Sequence, residues 1–225
     1  MDRNKRIIAI IAARMDSNRF PGKMTHDLRG DPLLGFVIER AKNVKNVEII
    51  LVATSSRPID DPIAQIAHSY GASVYRGDMV IDNVALRFLN CAKNYHASYF
   101  VRINGDSPCV DAKLIEKGIS YCQEDYDIIT NIPSRTFPYG ISLEIIKTSI
   151  LETVYPLFSQ YDREHITSYF YRNHTCFSIK EIVNTLSIRA IKKFAVDTLE
   201  DLDELNDFFQ NNKNRSWHDF QESIV

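Results

Sequence analysis

The sequence predicts an α/β fold, a mostly parallel sheet with helices on both faces, and three observations predict it. Residues 7–13 (IIAIIAA) are continuously apolar, as strands buried on both faces are. Similar runs recur at 47–54 (VEIILVAT) and 99–103 (YFVRI), separated by stretches with helical spacing. Alternation of this kind builds parallel sheets through right-handed crossovers, and such sheets bind ligands beyond the carboxyl ends of their strands.

Each element follows in order. After the first strand, residues 14–31 form a polar loop, and Leu33, Leu34, Val37, Ile38 and Ala41 space a helix over 32–44. Residues 61–70 make a second helix, with Asp60 or Asp61 as cap, Pro62 in its first turn and Gly71 as its stop. A short strand over 72–75, a helix over 83–95 and the strand 99–103 come next. A helix over 112–123 and a strand over 126–130 complete the regular part. Residues 132–189 are irregular and rich in aromatics, an arm that would complete a ligand site or form a dimer contact. The chain returns with a strand at 194–198 (FAVDT) and an acidic helix over 199–211. The whole, 1–225, reads as one domain.

Bulk properties exclude several classes. The net charge of -2 supplies no basic field for nucleic acid or an anionic membrane, so a bound anion must be caught locally. Lys and Arg are not gathered in a stripe with interleaved aromatics, which argues against a nucleic-acid partner. Cys91, Cys109, Cys122 and Cys176 are widely spaced without a C-x-x-C pair, against both zinc and a disulfide framework. No stretch reaches the roughly 18 apolar residues of a membrane span. A basic start followed by residues 7–13 invites a signal-peptide reading, but Arg14 interrupts the run and a buried strand explains it better. A cytoplasmic location is expected.

Three segments carry chemistry. RMDSNRFPGK places Arg14, Ser17, Arg19 and Lys23 around a Gly-bearing turn just past a buried strand. Guanidinium forks, an ammonium and free backbone N–H groups suit a triphosphate, although the Walker spacing is absent and a solvated basic loop has the same composition. Asn104-Gly105-Asp106-Ser107-Pro108 follows a strand, where Asp106 is suited to hold Mg²⁺ beside a phosphate; N-G-D is also plain turn chemistry. Asp197, at the end of FAVDT, is a second metal-ligand candidate or, with Thr198 and the acidic residues after it, part of a helix capping box.

Taken in order, IAARMDSNRFPGK, VATSS, RINGDSP and VDTLEDL resemble the cytidylyltransferase family, whose members activate 3-deoxy-manno-octulosonic and sialic acids. RGDMVIDNVALRF, TFPYGISLEI and YDREHITSYFYRN are similar to its SpsF-type spore coat polysaccharide biosynthesis proteins. The resemblance runs from residue 7 to about 205. It implies a Rossmann-like fold of the nucleotide-diphospho-sugar transferase type and transfer of CMP from CTP to an acidic sugar or a phosphate-bearing small molecule, with Mg²⁺ and a homodimer. By the same resemblance Arg14, Lys23 and Asp106 are catalytic, and Arg14, Ser17, Arg19 and Lys23 meet the phosphates. Ala12, Ala13, Thr54, Asp82, Asn83 and Arg87 surround the nucleoside, and Asp106 and Asp197 hold the metal. Arg135, Tyr139, Glu144, Arg163, Glu164 and His165 face the acceptor.

Rivals are a nucleotidyltransferase for another nucleoside triphosphate, a nucleotide-sugar glycosyltransferase and a non-enzymatic binding module. The D-x-D triplet Asp201-Leu202-Asp203 falls on the acidic helix, which disfavours the glycosyltransferase. Retention of both carboxylates and of the three cations Arg14, Arg19 and Lys23 disfavours the binding module.

Overall fold

Strand β1 (Ile7–Ala12) explains the architecture by its alternation. Ile7, Ala9 and Ile11 pack into one hydrophobic cluster and Ile8 and Ile10 into another, because successive strand side chains point to opposite faces. A strand buried on both faces must lie at the sheet's centre. In the computed structural model, which describes residues 5–77, 83–184 and 193–210, β1 pairs in parallel with β4 (Ile50–Ser55) and β6 (Tyr99–Asn104). The two short strands β2 (Asp27–Leu28) and β3 (Asp31–Pro32) form a separate antiparallel pair.

Beyond β4 lies β5 (Ser73–Gly77), also parallel. On the other side β8 (Glu144–Lys147) runs antiparallel between β6 and β7 (Ile128–Thr130), and β9 (Ile179–Glu181) pairs in parallel with β7. The seven-stranded order is therefore β5-β4-β1-β6-β8-β7-β9. One layer holds α1 (Leu33–Lys42), α2 (Asp61–Ser69), α4 (Ala112–Ser120) and α8 (Leu199–Gln210), whose apolar residues join the cluster of Ile7 and Ile11. The other holds α3 (Val84–Asn94), α5 (Thr148–Val154) and α7 (Ser168–Arg172), on the side of Ile8 and Ile10, with the short helix α6 (Gln160–Glu164) packed against α3. No described helix is long and apolar enough to cross a membrane.

Two expectations are corrected. Residues 194–198 form no strand: the Phe194 N–H donates to Tyr139 O at 2.7 Å and the Val196 N–H to Asp106 O at 2.8 Å. The buried FAV run thus bridges two loops, and burial alone imitated a strand's composition. Residues 132–189 are less irregular than expected, because they supply β8 and β9 to the main sheet as well as α5, α6 and α7. β8 is only four residues long, too short for periodicity to reveal it.

Candidate functional site

The loops after β1, β4 and β6 leave the sheet at one edge, and Asp60 ties two of them together. Expected as a cap, Asp60 makes no capping bond at the start of α2. It is fully buried and accepts from the Met15 N–H at 2.8 Å, from the Ser55 hydroxyl, and from Arg57 Nη2 at 3.2 Å. Arg57 Nη1 reaches Asp16 at 2.9 Å. The hydrogen bond from Arg57 is the main cause holding the Asp16 carboxyl below its usual range. The start of the basic loop is thereby fixed.

Gly105 sets the next loop. Its N–H donates to Ala12 O at 2.9 Å, and a Cβ there would lie 2.8 Å from the same oxygen, so only glycine lets the backbone approach β1 this closely. That approach delivers Asp106. Gly140, at φ 96°, does the same for the third segment: a Cβ would meet the Phe194 carbonyl carbon at 2.3 Å. Thr198 and Asp201 form the capping box of α8, the Asp201 carboxylate accepting from the Thr198 N–H at 2.9 Å and the Thr198 hydroxyl from the Asp201 N–H at 3.3 Å. This releases the Asp197 side chain toward the site.

There the charges converge. Lys23, buried, places Nζ 2.6 Å from Asp106 Oδ2, 2.7 Å from Val196 O and 3.9 Å from Asp197 Oδ1. Arg19 Nη2 lies 2.7 Å from Asp197 Oδ1 and Lys193 Nζ 2.9 Å from Asp197 Oδ2. Burial works against the Lys193 charge, but its bonds to Asp201 and Asp197 outweigh it and raise its pKa. Burial is also the leading cause lowering the pKa of Arg87.

Two cavities of about 510 Å³ each adjoin this cluster. Ala12, Ala13, Arg14, Ser17, Arg19, Lys23, Arg87, Glu164 and Asp197 line the first. Arg135, Tyr139, Glu144 and Tyr171 line the second. Arg19, Arg102, Asn104, Asp106, Tyr139, His165 and Asp197 are common to both.

Three predicted residues line neither cavity. Thr54 is buried in β4 on the face of Val52, whereas the first cavity opens on the side of α3; its hydroxyl has no hydrogen-bond partner among the described residues. Asn83 caps α3, accepting from the Leu86 N–H at 3.2 Å, and donates to Tyr155 at 2.8 Å. Arg163 lies over the Tyr155 ring at 5.8 Å. Asp82 falls outside the described residues. Conversely, Arg102, Asn131 and Tyr171 were not expected at the site. Arg102 had a signal: it is the single charge in an otherwise apolar strand, two residues before Asn104 and hence on its face.

A phosphate-suited basic loop, a carboxylate pair and two joined cavities at the carboxyl edge of a mostly parallel sheet define a nucleotide-dependent group transferase. A family model described as cytidylyltransferase matches residues 8–222. A solved cytidylyltransferase from Leptospira borgpetersenii is 32% identical, with a TM-score of 0.91 over 98% of this chain and 94% of that one. The chain belongs to the cytidylyltransferase family, and is therefore a nucleotidyltransferase. It is also similar to the spore coat polysaccharide biosynthesis protein SpsF of Bacillus subtilis, 28% identical over 91% of this chain and 86% of that protein. The 3-deoxy-manno-octulosonate cytidylyltransferase of Geobacter sulfurreducens is 33% identical over 53% of this chain and 46% of its own length.

Proposed function

We propose that this chain transfers CMP from CTP to an acidic sugar of the ulosonic or nonulosonic class, or to a phosphate-bearing small molecule, releasing pyrophosphate for surface polysaccharide biosynthesis. The observation that carries the proposal is the shared wall: Asp106, Asp197 and Arg19 border both cavities, so a nucleotide in one and an acceptor in the other would meet there. The relatives named for 3-deoxy-manno-octulosonate and for spore coat polysaccharide support the acceptor class.

Arg14, Ser17 and Arg19 would hold the triphosphate, and Lys23 would neutralise charge building on the α-phosphate. An acceptor oxygen attacks that phosphorus in line, the bond to the bridging oxygen breaks, and pyrophosphate carries away the electron pair. Positioning and charge neutralisation supply most of the rate. Residues of the 132–189 segment wall the second cavity, which supports its role in completing the acceptor site.

The donor set fits magnesium. No group of three or more His, Cys, Asp or Glu side chains among the described residues forms a ready metal cage, and Mg²⁺ is ordinarily held by one or two carboxylates plus substrate phosphates and water. Asp106 and Asp197, both within 4.0 Å of the Lys23 ammonium, would be those carboxylates. When bound, the ion would polarise the α-phosphate.

The test is pyrophosphate release from CTP and Mg²⁺ over a panel of ulosonic acids, nonulosonic acids and phosphorylated small molecules, with UTP, GTP and ATP as controls. Release that needs CTP and one acceptor class is expected. The absence of both release and CTP-induced thermal stabilisation would overturn the reading.

A further inference from the structure

Arg102 belongs to neither the basic loop nor the carboxylate pair, yet it borders both cavities. Its Nη1 is paired with Glu144 Oε2. Glu144 is buried, and its other oxygen accepts from the Tyr171 hydroxyl at 2.9 Å. Behind Tyr171 the donors run one way. The Ile132 N–H donates to Thr130 Oγ1 at 3.1 Å, and the Thr130 and Tyr171 hydroxyls are 2.8 Å apart. With the Tyr171 proton directed at Glu144, the Thr130 hydroxyl donates to the Tyr171 oxygen. Burial pushes the Tyr171 phenol far up, so it stays a donor.

Both Glu144 oxygens are therefore engaged, and a carboxylate so held is poorly placed to act as a base or to meet an acceptor. What it does is fix a guanidinium. Arg102 Nε is buried and has no hydrogen-bond partner among the described residues. Buried donors in native proteins are almost always satisfied, by the protein, by water or by a ligand. A planar guanidinium held at one corner keeps the N–H donors it turns to the cavities for an anion there. The first cavity already holds Arg14 and Lys23, whereas Glu144 and Tyr171 face only the second. In that cavity Arg19, assigned to the triphosphate, is paired with Asp197, and Arg135 is exposed on its loop, whereas Arg102 is held in place by buried Glu144.

We propose that Arg102, held by Glu144, Tyr171 and Thr130, receives the acceptor's carboxylate and selects acidic over neutral acceptors, an inference that rests on the CMP-transfer reading above. Arg102 is the specificity-determining residue; Glu144, Tyr171 and Thr130 are positioning residues.

The experiment compares steady-state kinetics with 3-deoxy-manno-octulosonate, or whichever acid of the panel the native chain turns over, and with the same sugar as its carboxamide. Arg102→Gln leaves Glu144 buried without its cation, so Arg102→Gln/Glu144→Gln is made beside it to keep the site neutral. For the acid, acceptor KM is expected to rise roughly 10- to 100-fold, the worth of a charge-assisted hydrogen bond, with the KM for CTP within about twofold of native. The native preference for acid over amide should collapse in the double variant. Tyr171→Phe should raise acceptor KM roughly threefold at unchanged kcat, a split that loss of fold would not produce. An acid-to-amide ratio that survives in the double variant, or CTP KM rising in step with acceptor KM, overturns the Arg102 assignment and leaves CMP transfer standing. If the native chain turns over no acid of the panel, the acidic-acceptor reading itself falls and this proposal with it.

Discussion

Asp60 shows how a side chain outside both cavities can govern the basic loop. Its carboxylate is the buried acceptor for Met15 N–H, Ser55 and Arg57, and the residue directly before Met15 is Arg14. Asp60→Ala would leave the Met15 N–H and the Ser55 hydroxyl without their acceptor, while Arg57 keeps Asp16, at about 1–3 kcal/mol for each buried group left unsatisfied. The variant should melt well below the native chain. At temperatures where it remains folded, the KM for CTP should rise by more than the KM for the acceptor, because the displaced segment lines the first cavity. Equal effects on the two KM values would contradict this. Asp60 was visible in the sequence only as a helix cap. A residue at the start of a helix is ordinarily read as serving that helix, and nothing in local spacing tells that its carboxylate turns back across 45 residues to Met15. Arg102 was legible in principle, as a charge on the inner side of an apolar strand. Glu144, Tyr171 and Thr130 were not legible as its support, since their association depends on β8 lying beside β6.

Among the elements, α6 carries the clearest dependence on pH. Ser159 and Asp162 form its capping box, and Asp162 also accepts from Ser168 at 2.6 Å and pairs with Arg172 Nη2 at 3.0 Å, linking α6 to α7. Burial opposes its charge, but the Arg172 and serine hydrogen bonds win and hold its carboxyl well below the usual carboxylate range. A depressed folded pKa means that the stabilisation is fully present above the unfolded value near pH 4 and is lost as pH falls through the lower folded value. Asp162→Ala should cost about 1–3 kcal/mol at pH 7, the range for losing a hydrogen bond to a charged group such as Arg172, and should flatten the acid limb of the stability curve. A variant with an unchanged acid limb would show that Asp162 is not the group responsible. Glu164 and His165 end this helix and line the first cavity, so activity should fall along with the limb. The long periodic elements, α1 to α4 and the central parallel strands β1, β4 and β6, were readable because burial imposes clear spacing on them. The segment 194–198 misled because its apolar run is covered by loops and not by neighbouring strands.

For the molecule as a whole, the site has no local existence. Lys23, Asp106 and Asp197 come from three distant parts of the chain and meet only when β1, β6 and the start of α8 are all in place. The segment 132–189 is bound into the same framework, because its strand β8 is inserted between β6 and β7. Motif order made the three charged segments legible one by one, while the two cavities and their common wall required the fold. The consequence is thermodynamic. A nucleotide that binds only the assembled site must stabilise the entire chain by mass action, about 2.7 kcal/mol at a hundredfold excess over its Kd. For a chain of this length that corresponds to a rise in Tm of roughly 5–10 °C. CTP with Mg²⁺ should therefore shift a single unfolding transition, with far-UV and near-UV circular dichroism moving together. Lys23→Met removes the ammonium shared by the two carboxylates and should abolish most of that shift while the variant still unfolds cooperatively. Two separate transitions, only one of them moved by CTP, would mean that 132–189 folds apart from the nucleotide site, and an equal shift with UTP would remove the case for cytosine selection.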